Sequence, residues 1–198
     1  HGWIWCCYAF RTSHFLTGSV QNMATNRELP AVTLVLGGAR SGKSLYAERC
    51  IKNISRQPVY IATAEPGDPE MIERIKRHRE RRGSNWETVE ESIDLVGVLK
   101  VHRKSTILID CLTLWLTNLI LADHDVEESV SELALELGQA EGSVFLVSNE
   151  VGSGIMPENA LARKFCDVAG QMNQIIASKA SSVILVTAGI PQSLKAPQ

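Results

Sequence analysis

A chain of 198 residues has the length of one domain, enough to bury a sizeable core beside a ligand cleft. Twenty basic against twenty-two acidic residues leave a net charge of −2, which excludes a chain-wide field for nucleic acid or an anionic membrane, so a bound anion has to be met by a local site. Five scattered cysteines (Cys6, Cys7, Cys50, Cys111, Cys166) form no C-x-x-C pair and fit a reducing cytoplasm, and no run of eighteen apolar residues predicts a membrane span.

His1 to Asn22 carries Trp3, Trp5, Tyr8, Phe10 and Phe15 but lacks the basic start of a secretory signal, and Arg11 interrupts its apolar run. Met23, followed by Ala24-Thr25-Asn26, reads as a natural start. Residues 1–22 are therefore expected to be an extension, unstructured or not native, ahead of a single domain over 23–198. Their aromatic residues equally fit a partner or oligomer contact.

Val32 to Leu36 is a β-branched and apolar run that reads as a buried strand. It leads into Gly37, Gly38, Ala39, Arg40, Ser41, Gly42, Lys43 and Ser44, which fit G-x-x-x-x-G-K-[ST] between a strand and a helix expected over Ser44 to Ile54. The glycines let backbone N–H groups approach phosphate oxygens, and the helix offers its positive N-terminus. Lys43 can neutralise β and γ charge, and Ser44 can ligate Mg2+. The bland alternative is a glycine-rich turn that packs a helix on a sheet.

Further apolar runs at Val59 to Thr63, Ser105 to Asp110, Val144 to Ser148 and Val183 to Thr187 predict strands. Helices are expected from Pro69, at a first-turn position, to Arg82 before Gly83, and over Leu112 to Ala122, Asp125 to Gly142 and Glu158 to Ala180. Alternating strands and helices predict an α/β fold with a mostly parallel sheet, helices on both faces, and the P-loop NTPase (RecA-like) architecture.

Four more places carry candidate chemistry. Six of the nine residues Arg74 to Arg82 are Lys or Arg, with His78 among them and on the helix face of Met71 and Ile75. This is either a solvated basic helix or a histidine nucleophile flanked by arginines that stabilise a phosphoryl transition state. Asp110 ends an apolar strand, where a metal-side carboxylate is expected, although it could cap the next helix instead. Cys111 reads as a small packing residue. Ser148-Asn149-Glu150-Val151-Gly152 and Pro157-Glu158-Asn159 fit either substrate binding at the ligand edge or turns and caps.

Taken together, Val35 to Ser44, Tyr60-Ile-Ala-Thr63, Arg74-Ile75-x-x-His78-Arg79 with Trp86 and Glu90, Asp110 to Thr113, Ser148 to Gly152, Pro157 to Asn159, Leu161-Ala-Arg163 and Val186 to Gly189 form one ordered set. The set resembles the bifunctional adenosylcobinamide kinase/adenosylcobinamide-phosphate guanylyltransferase family over about 31–195. The resemblance implies two reactions. ATP or GTP phosphorylates the aminopropanol hydroxyl of adenosylcobinamide. GTP then guanylylates a histidine, and the GMP passes to adenosylcobinamide phosphate, with pyrophosphate as the first leaving group.

By motif, His78 would be the guanylylated residue. Nucleotide contacts would fall at Thr63, Ala64 and Glu65, at Arg79, Glu80, Arg81 and Arg82, and at Glu90 and Asp110, with Mg2+ between Ser44, nucleotide and Asp110. The resemblance also implies a homo-oligomer, often a trimer. A simpler P-loop kinase of another small alcohol and a nucleotide-sensing switch are the competing readings. The switch lacks the Asn-Lys-x-Asp segment with which a regulatory GTPase reads guanine.

Overall fold

The computed structural model describes residues 32–65, 67, 69–155 and 157–196. The expected extension at 1–22 and the start at Met23 lie outside them, as does the side chain of Met71. Seven strands build one sheet: β1 (Val32–Gly37), β2 (Val59–Ala62), β3 (Glu87–Glu90), β4 (Ile107–Asp110), β5 (Val144–Asn149), β6 (Ser182–Thr187) and β7 (Ile190–Lys195). Their spatial order is β3-β2-β4-β5-β1-β6-β7, and every pairing is parallel except the terminal β6–β7 hairpin.

Six helices cover the sheet: α1 (Lys43–Lys52), α2 (Pro69–Arg82), α3 (Leu95–Val101), α4 (Leu112–Leu121), α5 (Val126–Leu137) and α6 (Ala160–Lys179). Alternate strand residues face opposite ways. Leu34, Ile61, Ile109 and Leu146 pack with Leu99, Leu116, Leu133 and Met172 of α3 to α6. Val35, Tyr60, Leu108 and Phe145 pack with Ala47 and Ile51 of α1, together with Trp86. Central strands buried on both faces account for the unbroken apolar runs in the sequence. No helix of the described residues is long and apolar enough to cross a membrane.

The expected strands and helices all appear, and β3, α3 and β7 are additional. The helix expected over Asp125 to Gly142 is shorter. It starts from Asp125, whose carboxylate accepts from Glu128 N, and stops at Leu137 with Gly138 as its cap. Leu135 lies on its outer side, 68% exposed, rather than in the core.

The parallel strands deliver their C-terminal residues to one edge. Gly37 lies beside Asn149, and Asp110 lies between Ala62 and Val147. β1 is the point where strand order turns: the chain leaves it for β2 on one side and arrives at β6 on the other. Ligand crevices in open α/β sheets form at such a point.

Candidate active site

Gly42 caps α1 in the left-handed conformation (φ 96°, ψ 4°) and has no side chain with which to bond the first N–H groups. With no acidic residue in the first turn, the helix N-terminus stays positive and available to an anion. Four contacts hold the loop before it. Ser41 N and Lys43 Nζ donate to Gly38 O at 3.2 and 3.0 Å, Glu150 N donates to Gly37 O at 3.1 Å, and Gly189 N in the β6–β7 turn donates to Ser41 O at 2.8 Å. Lys43 is buried, Ser44 is half-buried, and Gly38, Ala39 and Arg40 are exposed.

Asp110 ends β4, two strands from β1, which is about 10 Å across the sheet. It does not cap α4, whose N-cap is Cys111. Instead Oδ2 of Asp110 accepts from the Tyr60 hydroxyl at 3.2 Å and lies 3.8 Å from His78 Nδ1. Immediately after it, Thr63 Oγ1 accepts from Cys111 N at 2.7 Å and donates to Cys111 O at 2.8 Å. Thr63 is fully buried, so its hydroxyl serves to fix the chain beside Asp110. Burial, aided by the Asp110 charge, pushes the Cys111 thiol up, with Lys43 among the groups that oppose it. A protonated, buried thiol matches the packing role and is a poor nucleophile.

α2 separates its arginines by angle. Arg81 makes two bonds to the carboxylate of Glu48 on α1, Nη2–Oε1 2.7 Å and Nε–Oε2 3.0 Å, and that carboxylate is 1% exposed. Arg82 is buried, with its guanidinium carbon 3.3 Å from the centroid of the Tyr60 ring. Its Nε and Nη1 find no partner among the described residues. His78 and Arg82 are four residues apart and share a helix face. Arg79, Glu80 and Glu65 are exposed.

A cavity of about 60 Å3 opens where these elements meet. Ala64, His78, Arg79, Arg82, Glu90 and Asp110 line it with Tyr60 and Thr88, so six of the residues expected from sequence converge there. Glu65, Glu80 and Arg81 are not in its lining. Thr88 was missed, and Tyr60, quoted only within the resembling set, was given no site role, since each sits in a strand where a polar tip looks like ordinary β composition. Burial pushes the Tyr60 phenol well above its ordinary range, reinforced by Asp110, so it remains a donor to the carboxylate.

The Ser148 to Gly152 block mostly organises the edge. Asn149 donates twice to Thr113 Oγ1, Ser148 donates to Asn173, and Glu150 Oε1 accepts from Gly152 N. Asn159 caps α6 by accepting from Ala162 N. A larger groove of about 930 Å3 between α4, α5 and α6 has apolar walls including Ile120, Leu121, Phe165 and Met172, and shares no residue with this site.

The sequence model of the family described as cobinamide kinase / cobinamide phosphate guanyltransferase matches residues 33–194. The bifunctional adenosylcobalamin biosynthesis protein CobP of Pseudomonas aeruginosa is 45% identical over 166 residues, 82% of this chain and 96% of that one. The bifunctional adenosylcobalamin biosynthesis protein CobU of Escherichia coli K12 is 39% identical over 179 residues, 82% and 98% of the two chains. Among solved structures, a Pyrococcus horikoshii OT3 protein superposes with TM-score 0.53 at 11% identity over 85% of this chain and 87% of that one. An ATPase of a bacterial type III secretion system gives 0.50 at 12% over 79% and 51%. These distant likenesses speak for the fold alone, whereas the family model spans nearly all the described residues and each of the two relatives covers 82% of this chain: the chain belongs to the cobinamide kinase / cobinamide phosphate guanyltransferase family.

Proposed function

We propose that this chain phosphorylates adenosylcobinamide with ATP or GTP and then, through a guanylylated His78, transfers GMP from GTP to adenosylcobinamide phosphate. The observation that carries the histidine assignment is its setting: an imidazole facing the Asp110 carboxylate, one helical turn before a buried arginine, at the ligand edge of a P-loop sheet.

In the kinase step, the loop N–H groups and Lys43 would hold the phosphates while the substrate hydroxyl attacks the γ-phosphorus and the diphosphate leaves. In the first half of guanylyl transfer, a nitrogen of His78 would bond to the α-phosphorus of GTP as the bond to the bridging oxygen breaks and pyrophosphate takes the electron pair. In the second half, a phosphate oxygen of adenosylcobinamide phosphate would attack that phosphorus, and the N–P electron pair would return to the ring. Splitting the transfer in this way gives each displacement a competent nucleophile and a good leaving group.

Mg2+ would offset negative charge on the phosphates. The described residues hold no cluster of three or more acidic, His or Cys side chains suited to a metal, which fits an ion carried mainly by the nucleotide. The half-buried Ser44 hydroxyl suits such an ion. Asp110 suits it through its second oxygen, since Oδ2 already serves Tyr60 and faces His78. A homo-oligomer, trimeric by resemblance, and a cytoplasmic setting complete the proposal.

The decisive measurement is protein labelling by α-phosphate-labelled GTP. The wild type is expected to take up an acid-labile, base-stable label, and His78→Ala none. An unlabelled wild type, or equal uptake by His78→Ala, would falsify the nucleophile assignment.

A further inference from the structure

Tyr60 lies in the middle of an apolar strand, where Phe would fill the same space, yet its hydroxyl and its ring each hold one charged group of the cavity. The hydroxyl donates to Asp110 Oδ2, the same oxygen that stands 3.8 Å from His78 Nδ1. The ring face carries the Arg82 guanidinium at 3.3 Å, and Trp86 braces the ring from the side, with centroids 6.3 Å apart and planes at 81°. Tyr60 and Trp86 are 5% and 8% exposed, so the arrangement is packed from the core side.

We propose that Tyr60 is a positioning residue for guanylyl transfer, fixing Asp110 toward His78 with its hydroxyl and holding Arg82 at the cavity with its ring. The inference rests on the reading of His78 as the guanylylated residue. A carboxylate can turn about its bond to Cβ, and the Tyr60 bond selects the rotamer in which Oδ2 faces the imidazole. The 3.8 Å separation is longer than a hydrogen bond; drawn in to one from Nδ1–H in the nucleotide complex, it would leave the lone pair on Nε2 and make that nitrogen the nucleophile. When Nε2 bonds to the α-phosphorus and pyrophosphate departs with the electron pair, the positive charge left on the ring faces Asp110. The Nδ1 proton stays within the pair throughout.

Arg82 is the second charged group that Tyr60 holds. A buried guanidinium with two nitrogens that find no partner among the described residues is poised for an anion. Its place one turn from His78 puts those donors beside the phosphoryl group that His78 would carry. Arg81, one residue earlier, is committed to Glu48 and has no such freedom. The Tyr60 face keeps Arg82 at the cavity by a cation–π contact, which gains strength away from water.

The test uses the full-length chain and follows two readouts: single-turnover labelling by α-phosphate-labelled GTP, and phosphorylation of adenosylcobinamide by ATP. The second also reports that the enzyme is folded, because it needs the same P-loop. Tyr60→Phe removes the hydroxyl alone, and is expected to slow labelling roughly tenfold at saturating GTP with little change in KM. Its kinase rate should fall at least five times less. Tyr60→Leu removes both holds, and is expected to slow labelling about 100-fold and to raise the KM for GTP as well. Unchanged labelling in Tyr60→Phe, or a parallel loss of labelling and kinase activity, would overturn the positioning role. The His78 reading is judged separately, by whether wild type is labelled and His78→Ala is not.

Discussion

Gly42 joins backbone geometry to phosphate chemistry at a single residue. Its φ of 96° lies where side chains are strained, and a Cβ there would stand 3.2 Å from the Cα of Gly189. Gly42→Ala is therefore expected to cost about 1–3 kcal/mol of stability, and to loosen the Gly189–Ser41 bond that closes the loop. Thermal melts should show a loss of several degrees, roughly 2–4 °C per kcal/mol for a chain of this size. The KM for nucleotide should rise in both half-reactions. A variant that melts with wild type and binds nucleotide normally would refute the strain argument. Gly42 is legible from sequence because the motif letters carry their own geometry. Arg81 and Arg82 are not: a basic run looks uniform until the helix turns one toward Glu48 and buries the next against Tyr60.

At the scale of elements, α2 is fastened by side chains to α1 and to the sheet edge. Its firmest tie among the described residues is Arg81 to the 1% exposed carboxylate of Glu48. Arg81→Met would keep the packing stem but leave that carboxylate without its guanidinium. Because the Arg81 side chain is 37% exposed, water can replace part of the pairing, so the expected cost is about 1–3 kcal/mol rather than that of a fully buried pair. Denaturant unfolding gives the stability, and faster amide exchange along α2 locates the damage; wild-type exchange in α2 would count against the tie.

Pro69 at the first turn and Gly83 beyond Arg82 made α2 readable before its contacts were known. The elements that escaped have physical reasons. β3 is four residues with a charged residue at each end, supported by pairing to β2 rather than by a buried run. α3 is seven residues with three valines and a glycine, a poor helix by propensity, and is secured by the Asp94 cap and buried Leu95 and Leu99. β7 is exposed throughout and starts Ile190-Pro191, a composition that an edge strand tolerates.

For the molecule as a whole, both proposed reactions depend on one sheet edge. Strand order puts β5 between β1 and β4, so the P-loop and Asp110 flank the same crevice, and α2 brings His78 to it from beyond β2 in sequence. The charge balance of the chain draws no anion by itself, so the proposal assigns the phosphate attraction to the α1 terminus, Lys43 and Arg82. If one phosphate site serves both steps, removing its lysine must affect both. Lys43 is 5% exposed and donates to Gly38 O, which also keeps the loop in shape. Lys43→Ala is expected to lower phosphorylation of adenosylcobinamide and guanylylation of His78 alike, each by about 10²–10³-fold. Lys43→Arg should recover little, because a planar fork does not replace a compact ammonium in a buried loop. Parallel assays of the two reactions check this in one preparation, with a melting curve to confirm folding. Full guanylylation in a kinase-dead Lys43→Ala enzyme would mean that GTP reaches His78 from a second site, and the single-edge account would fail.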